Sequence, residues 1–135
     1  HIYDFLRSEA GGEDAPAVAR AFAGEDRAAV ISRFALSGAN RLCRDALEMF
    51  VSIYGSEAGN LAIQYRATGG VYLAGGIAAK ILPALTGGLF EASFRTKPPL
   101  EAFLAEIPVR VVREPGLGLM GAAVVAYWMA IDTTR

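Results

Sequence analysis

The sequence predicts an α/β fold, predominantly helical, in which two parallel strands are joined by crossover helices. Three observations lead there. The chain has 135 residues, 53% of them hydrophobic and 20% charged, which suits one folded domain with a real core and excludes intrinsic disorder. From about Asn40 to Arg66, apolar residues recur at spacings of three, four and seven, the period of a half-buried helix. Two short apolar runs, Val71–Ala74 and Val109–Val112, stand between glycine and proline breaks with helical sequence between them. They read as buried strands joined by a crossover, and strands connected that way run parallel.

The elements follow in order. Residues 1–10 form a first helix with Ile2, Phe5 and Leu6 on one face, stopped by Gly11-Gly12. Ala15 to Phe22 is a short helix with Pro16 in its first turn, where a missing N–H does no harm. Residues 26–36 start at an Asp suited to N-capping and end at Ser37-Gly38. The long helix follows. Its core face is read as Leu42, Ala46, Phe50, Ile53, Tyr54, Leu61 and Tyr65, opposite Arg41, Arg44, Asp45, Glu48 and Ser52. Gly55 and Gly59, four apart, cost helix stability, so they mark either close approach of another backbone or a break.

Beyond Gly69-Gly70 the first strand leads into Gly75-Gly76 and a helix over 77–85 with a bend or end at Pro83. Residues 86–99 are irregular around a short helix, Phe90 to Phe94, and Leu100 to Glu106 is another. The second strand follows Pro108, and Glu114-Pro115-Gly116 breaks the chain again. The last apolar helix begins near Gly118 and should be buried; its run from Leu117 to Ile131 is shorter than the ~20 residues that span a bilayer. The tail from Asp132 to Arg135 is polar and should fray. A start already inside an amphipathic helix, and a sheet of only two strands, point to a piece of a longer protein whose remaining strands come from missing sequence or another copy. Residues 1–67 make a helical segment, and 68–131 a strand–helix–strand–helix segment.

Composition narrows the chemistry. A formal net charge of -1 makes no electrostatic case for nucleic acid or an anionic membrane. One cysteine, Cys43, forms no internal disulfide and no Cys/His metal cluster, which leaves a reducing cytoplasm as the expected compartment. His1 is the only histidine and stands at the chain end, which argues against a Ser-His-Asp or Cys-His site. Cys43 reads as a small core hydrophobe, and Glu91, Glu101, Glu106 and Glu114 as solvated surface. No residue is assigned a catalytic or metal-binding role.

Two glycine motifs remain. Gly116 to Gly121 matches G-x-G-x-x-G, but a dinucleotide turn needs a further strand and an acidic residue about 20 positions on; only Asp132 follows. Small residues that admit a close neighbour are the preferred reading there. Gly75-Gly76 is the stronger candidate. It leaves the carboxyl end of a parallel strand, where open α/β sheets bind ligands. Two residues without Cβ let a flat ring or ribose lie on the backbone, and the following helix start would favour phosphate. A tight strand-to-helix turn with no ligand is the other reading. Lys80, one turn on, could reach a phosphate or simply face solvent.

Gly59-Asn60-Leu61-Ala62, Gly69-Gly70-Val71-Tyr72-Leu73-Ala74-Gly75-Gly76-Ile77, Ile107-Pro108-Val109 and Gly118-Leu119-Met120-Gly121-Ala122-Ala123 stand in the order and spacing of the C-terminal part of the bacterial glucokinases. From about Ser32 onward the chain resembles that family; residues 1–31 match more loosely, with an insertion between helices. The resemblance implies an actin-like (ribonuclease H-like) sugar-kinase fold and transfer of the γ-phosphoryl of ATP to the 6-hydroxyl of glucose. It implies an adenosine motif at Gly75, Gly76 and Ile77, with Gly121 in the closing helix. The family's phosphate loop, Asp-x-Gly-Gly-Thr, its catalytic aspartate and its Glu-x-Gly-His sugar motif lie upstream of the matched part and do not occur here, so Mg²⁺ would be held mainly by that missing portion. The match fails around Arg113 to Leu117, which leaves no ligand role assigned to Glu114 or Pro115. ATP, glucose and a second copy of the chain are the expected partners, with no nucleic acid or membrane. Another hexose as substrate, or a non-catalytic dimerisation or regulatory module, are the alternatives.

Overall fold

The computed structural model describes residues 1–114 and 116–132; Pro115 and residues 133–135, and with them part of the expected turn and fraying tail, lie outside the described residues. Its elements run α1 (Ile2–Glu9), α2 (Pro16–Phe22), α3 (Arg27–Leu36), α4 (Arg41–Gln64), β1 (Val71–Leu73), α5 (Gly76–Lys80), α6 (Leu82–Leu85), α7 (Leu89–Arg95), α8 (Glu101–Ala105), β2 (Val109–Val111) and α9 (Leu117–Asp132). The α/β class is as expected, and so is the element order except over residues 77–85.

Local chemistry sets the helix starts. Asp26 accepts a hydrogen bond from the Ala29 amide at 2.9 Å, and Asn40 accepts from the Cys43 amide at 2.8 Å, so α3 and α4 each begin at a side-chain cap. Pro16 stands in the first turn of α2. The anticipated single helix over 77–85 is two short helices. They break at Ile81, with φ −104° and ψ 20°, and Pro83 lies in the first turn of α6. The proline has no N–H to give and its ring crowds the carbonyl four residues back, so the break falls just upstream of it.

α4 is the spine. α1, α3 and α7 pack along it, α7 most extensively. Its buried residues are Cys43, Ala46, Leu47, Val51, Gly55, Ala58, Gly59 and Ala62, a stripe of mostly small residues. This corrects the expected face: Ile53, Leu61 and Tyr65 are 50%, 51% and 71% exposed. The reason is α7. A Cβ on Gly55 would run into the Phe90 carbonyl oxygen, and one on Gly59 into that of Phe94. The two glycines therefore serve close backbone approach, and α4 continues unbroken through both. Flanking them, Ser52 and Ser93 share a hydrogen bond at 3.0 Å, and the Lys97 ammonium donates to Ser56 at 2.7 Å. The rings of Phe90 and Phe94, with Tyr54, fill the seam.

At the start of the chain it is Tyr3, not Phe5, that enters the core: Tyr3 is 3% exposed and Phe5 56%. The Tyr3 hydroxyl donates to Asp14 at 2.9 Å and Arg7 donates to the other Asp14 oxygen at 3.1 Å, tying the α1–α2 loop to α1. Arg27 bonds Asp4 at 2.6 Å while its guanidinium lies over Phe22.

β1 and β2 are parallel, with Val71 opposite Val109, Tyr72 opposite Arg110 and Leu73 opposite Val111. The Val71 amide donates to the Pro108 carbonyl and the Val112 amide to that of Leu73. β1 reads from the sequence as a buried strand, but not both of its faces are covered. It is buried on one: Leu73 is 4% exposed and Tyr72 61%. The expected burial of α9 also fails, since every residue from Leu117 to Ile131 is exposed. An apolar helix is buried only where a complementary surface exists, and the described residues supply none for α9. No helix among the described residues is long and apolar enough to cross a membrane.

Candidate functional site

The end of β1 is where the predicted residues meet. The strand stops at Leu73, Ala74 is exposed, and Gly75 follows with φ 99° and ψ 169° as the residue before α5. That combination belongs to a region of backbone space open essentially to glycine alone, so the fold itself demands Gly75. Gly76 differs. It is the first residue of α5, its backbone is not left-handed, and a Cβ there would have nothing within 4 Å. Neither packing nor conformation requires a glycine at 76, so the surface over it is free for something else.

α5 is held from its other side. Ala78 and Ile81, 1% and 2% exposed, anchor it in the core. Ile77 is left facing outward, 62% exposed, and Lys80 is exposed as well. The result is a low shelf of backbone at Gly75 and Gly76 beside an exposed aliphatic side chain, at the carboxyl end of a parallel strand. Such a shelf suits a flat ring or a ribose. α5 is only five residues long, and so short a helix aligns few peptide dipoles toward a phosphate.

Gly121 is not brought into this group. It lies in α9, exposed, and a Cβ there would meet nothing within 4 Å. The same holds for Gly118, so the close packing expected of the Gly116–Gly121 motif is absent among the described residues.

The other candidate groups have local roles. Cys43 is fully buried, and that burial pushes its thiol pKa up, away from a reactive thiolate. Glu91 pairs with Arg95 at 2.6 Å on the surface of α7, and Glu114 accepts the Gly116 amide at 2.8 Å within its turn. Glu101 and Glu106 are exposed. Among the described residues no group of three His, Cys, Asp or Glu side chains could hold a metal ion.

Two features were not anticipated from the sequence. Tyr72 and Arg110, opposed across the strands, form a pair with the guanidinium 5.6 Å from the ring centre; the alternation Val-Arg-Val in β2 was the available signal. A cleft of about 570 Å³ opens between the strands and α7, lined by Leu73, Phe90, Phe94, Ile107, Val109 and Val111 among others. Nothing in the linear pattern marks it, because its walls come from three separated stretches, at residues 73, 85–95 and 105–111.

The glucokinase family model matches residues 1–129. The chain is 40% identical to a glucokinase of Nostoc over an alignment of 136 positions, covering 93% of this chain and 40% of that protein. It is 46% identical to a glucokinase of Synechocystis over 101 positions, covering 75% of this chain and 28% of that protein. The crystal structure of a glucokinase from an Antarctic psychrotroph superimposes with a TM-score of 0.74 at 29% identity, over 91% of this chain and 35% of the other. The chain thus spans well under half the length of these relatives, and its fold is a predominantly helical, two-stranded part of the actin-like sugar-kinase architecture. On a family match that runs through nearly every element described, from α1 into α9, the chain belongs to the glucokinase family.

Proposed function

We propose that this chain forms the adenosine side of the nucleotide site in an enzyme that phosphorylates glucose at its 6-hydroxyl with ATP. Gly75, Gly76 and Ile77 carry the contact, and Gly121 joins them from α9 once the whole enzyme is assembled. Residues 1–67 act as the helical support and residues 68–131 as the nucleotide-side piece of the larger domain. The observation that supports this most directly is Gly76. It is a glycine that the fold does not need, at the mouth of a parallel strand, with open space above it. Membership in the glucokinase family supplies the reaction class.

The residues present fit the adenosine half of ATP and not its phosphate half. The shelf is flat and bordered by Ile77, while the described residues offer neither a phosphate-binding loop nor a cluster of metal ligands. When bound, Mg²⁺ would neutralise charge on the transferring phosphoryl group; the groups that hold it belong to sequence this chain does not contain. The phosphate loop, the base and the sugar-binding residues are placed there too. The chain alone is therefore inactive, since the members of a catalytic constellation act as a unit. The proposed setting is cytoplasmic, with glucose and ATP as ligands and a second copy of the protein as partner. A monomer by light scattering at ~100 μM would count against the dimer.

The test uses the full-length enzyme and a coupled assay for glucose 6-phosphate. Gly76→Val should raise the KM for ATP at least about tenfold, the equivalent of ~1.4 kcal/mol, and leave the KM for glucose nearly unchanged. Equal effects on both substrates in a folded variant would remove the assignment. In parallel, turnover by the 135-residue chain alone within about tenfold of the full-length enzyme would place the catalytic residues inside this chain and overturn the proposal.

A further inference from the structure

We draw no further inference here: the strongest candidate, the exposed apolar helix α9 together with the open cleft between the β1–β2 pair and α7, carries none, because nothing in the structure shows what covers either surface.

Discussion

Replacing Gly55 by alanine tests the central packing claim. The added Cβ would fall against the Phe90 carbonyl oxygen, with the Phe90 carbonyl carbon at 3.1 Å and Cα at 3.2 Å. None of these is the end of a flexible side chain, so α7 itself has to retreat, by roughly 1 Å to restore ordinary separations. Overpacking of this kind costs about 1–3 kcal/mol. Against it stands the helix-propensity gain of alanine over glycine, about 1 kcal/mol in a helix interior. The retreat also loosens Phe90 and Phe94, which are 4% and 1% exposed, so the balance should be a net loss of about 1–2 kcal/mol. For a chain of this size that corresponds to a fall in Tm of roughly 3–10 °C. Gly59→Ala should behave alike. The double variant should lose less than the sum, because one displacement of α7 relieves both clashes. Gly118→Ala is the control: it meets no neighbour and should not lower Tm. Circular dichroism melts of the parent and the four variants decide the matter. A Gly55→Ala variant at least as stable as the parent would refute the backbone contact between α4 and α7.

Three further expectations concern the site, two helix caps and the start of the chain. Gly75→Ala should destabilise by about 1–3 kcal/mol because of its glycine-only conformation, whereas Gly76→Ala should leave thermal stability unchanged; the reverse order in a melt would contradict the turn geometry. Asp26→Ala and Asn40→Ala should each cost about 1 kcal/mol in urea unfolding through loss of a cap, with no loss if the caps are not formed. Burial and the Asp14 carboxylate raise the Tyr3 phenol above its ordinary pKa. The folded state then keeps a proton that the unfolded state gives up, so stability is fully present below about pH 10 and falls as pH rises beyond it. Tyr3→Phe should flatten that decline in Tm measured between pH 8 and 11; an unchanged slope would show that Tyr3 plays no part in it.

Much of this was legible in the sequence, for physical reasons that can be named. The cap at Asp26, the stop at Gly11-Gly12 and the strand boundaries are local events, written in residues that sit next to one another. The parallel pairing was legible too, because helical sequence between two strands leaves little else. What failed was orientation. Ranking α4 by size chose Ile53, Leu61 and Tyr65 for the core, but the buried stripe runs through Gly55, Ala58, Gly59 and Ala62, and at Gly55 and Gly59 the α7 backbone leaves no room for a side chain. Small residues are weak signals of hydrophobicity and strong signals of contact. α9 failed differently: composition predicted burial, and burial needs a partner surface that composition cannot supply. At the site, the sequence located the turn and overrated its helix. Only the backbone angles separate Gly75, which the chain needs for its own shape, from Gly76, which it does not.

The contrast between α4 and α9 has a consequence for how the molecule moves. Amide protons in the middle of α4 are shielded by α1, α3 and α7 at once, so they can exchange with solvent only when most of the chain opens. Residues 117–128 are exposed, with no such cover among the described residues, and their amides should exchange through local fraying at a small fraction of that free energy. In deuterium-exchange terms the chain is a slow body carrying a fast arm. A ligand held at Gly75 and Gly76 alone would leave the arm fast. One that also engaged Gly121 would slow it, and the rate of α9 thereby becomes a direct reading of whether both halves of the proposed adenosine contact are made.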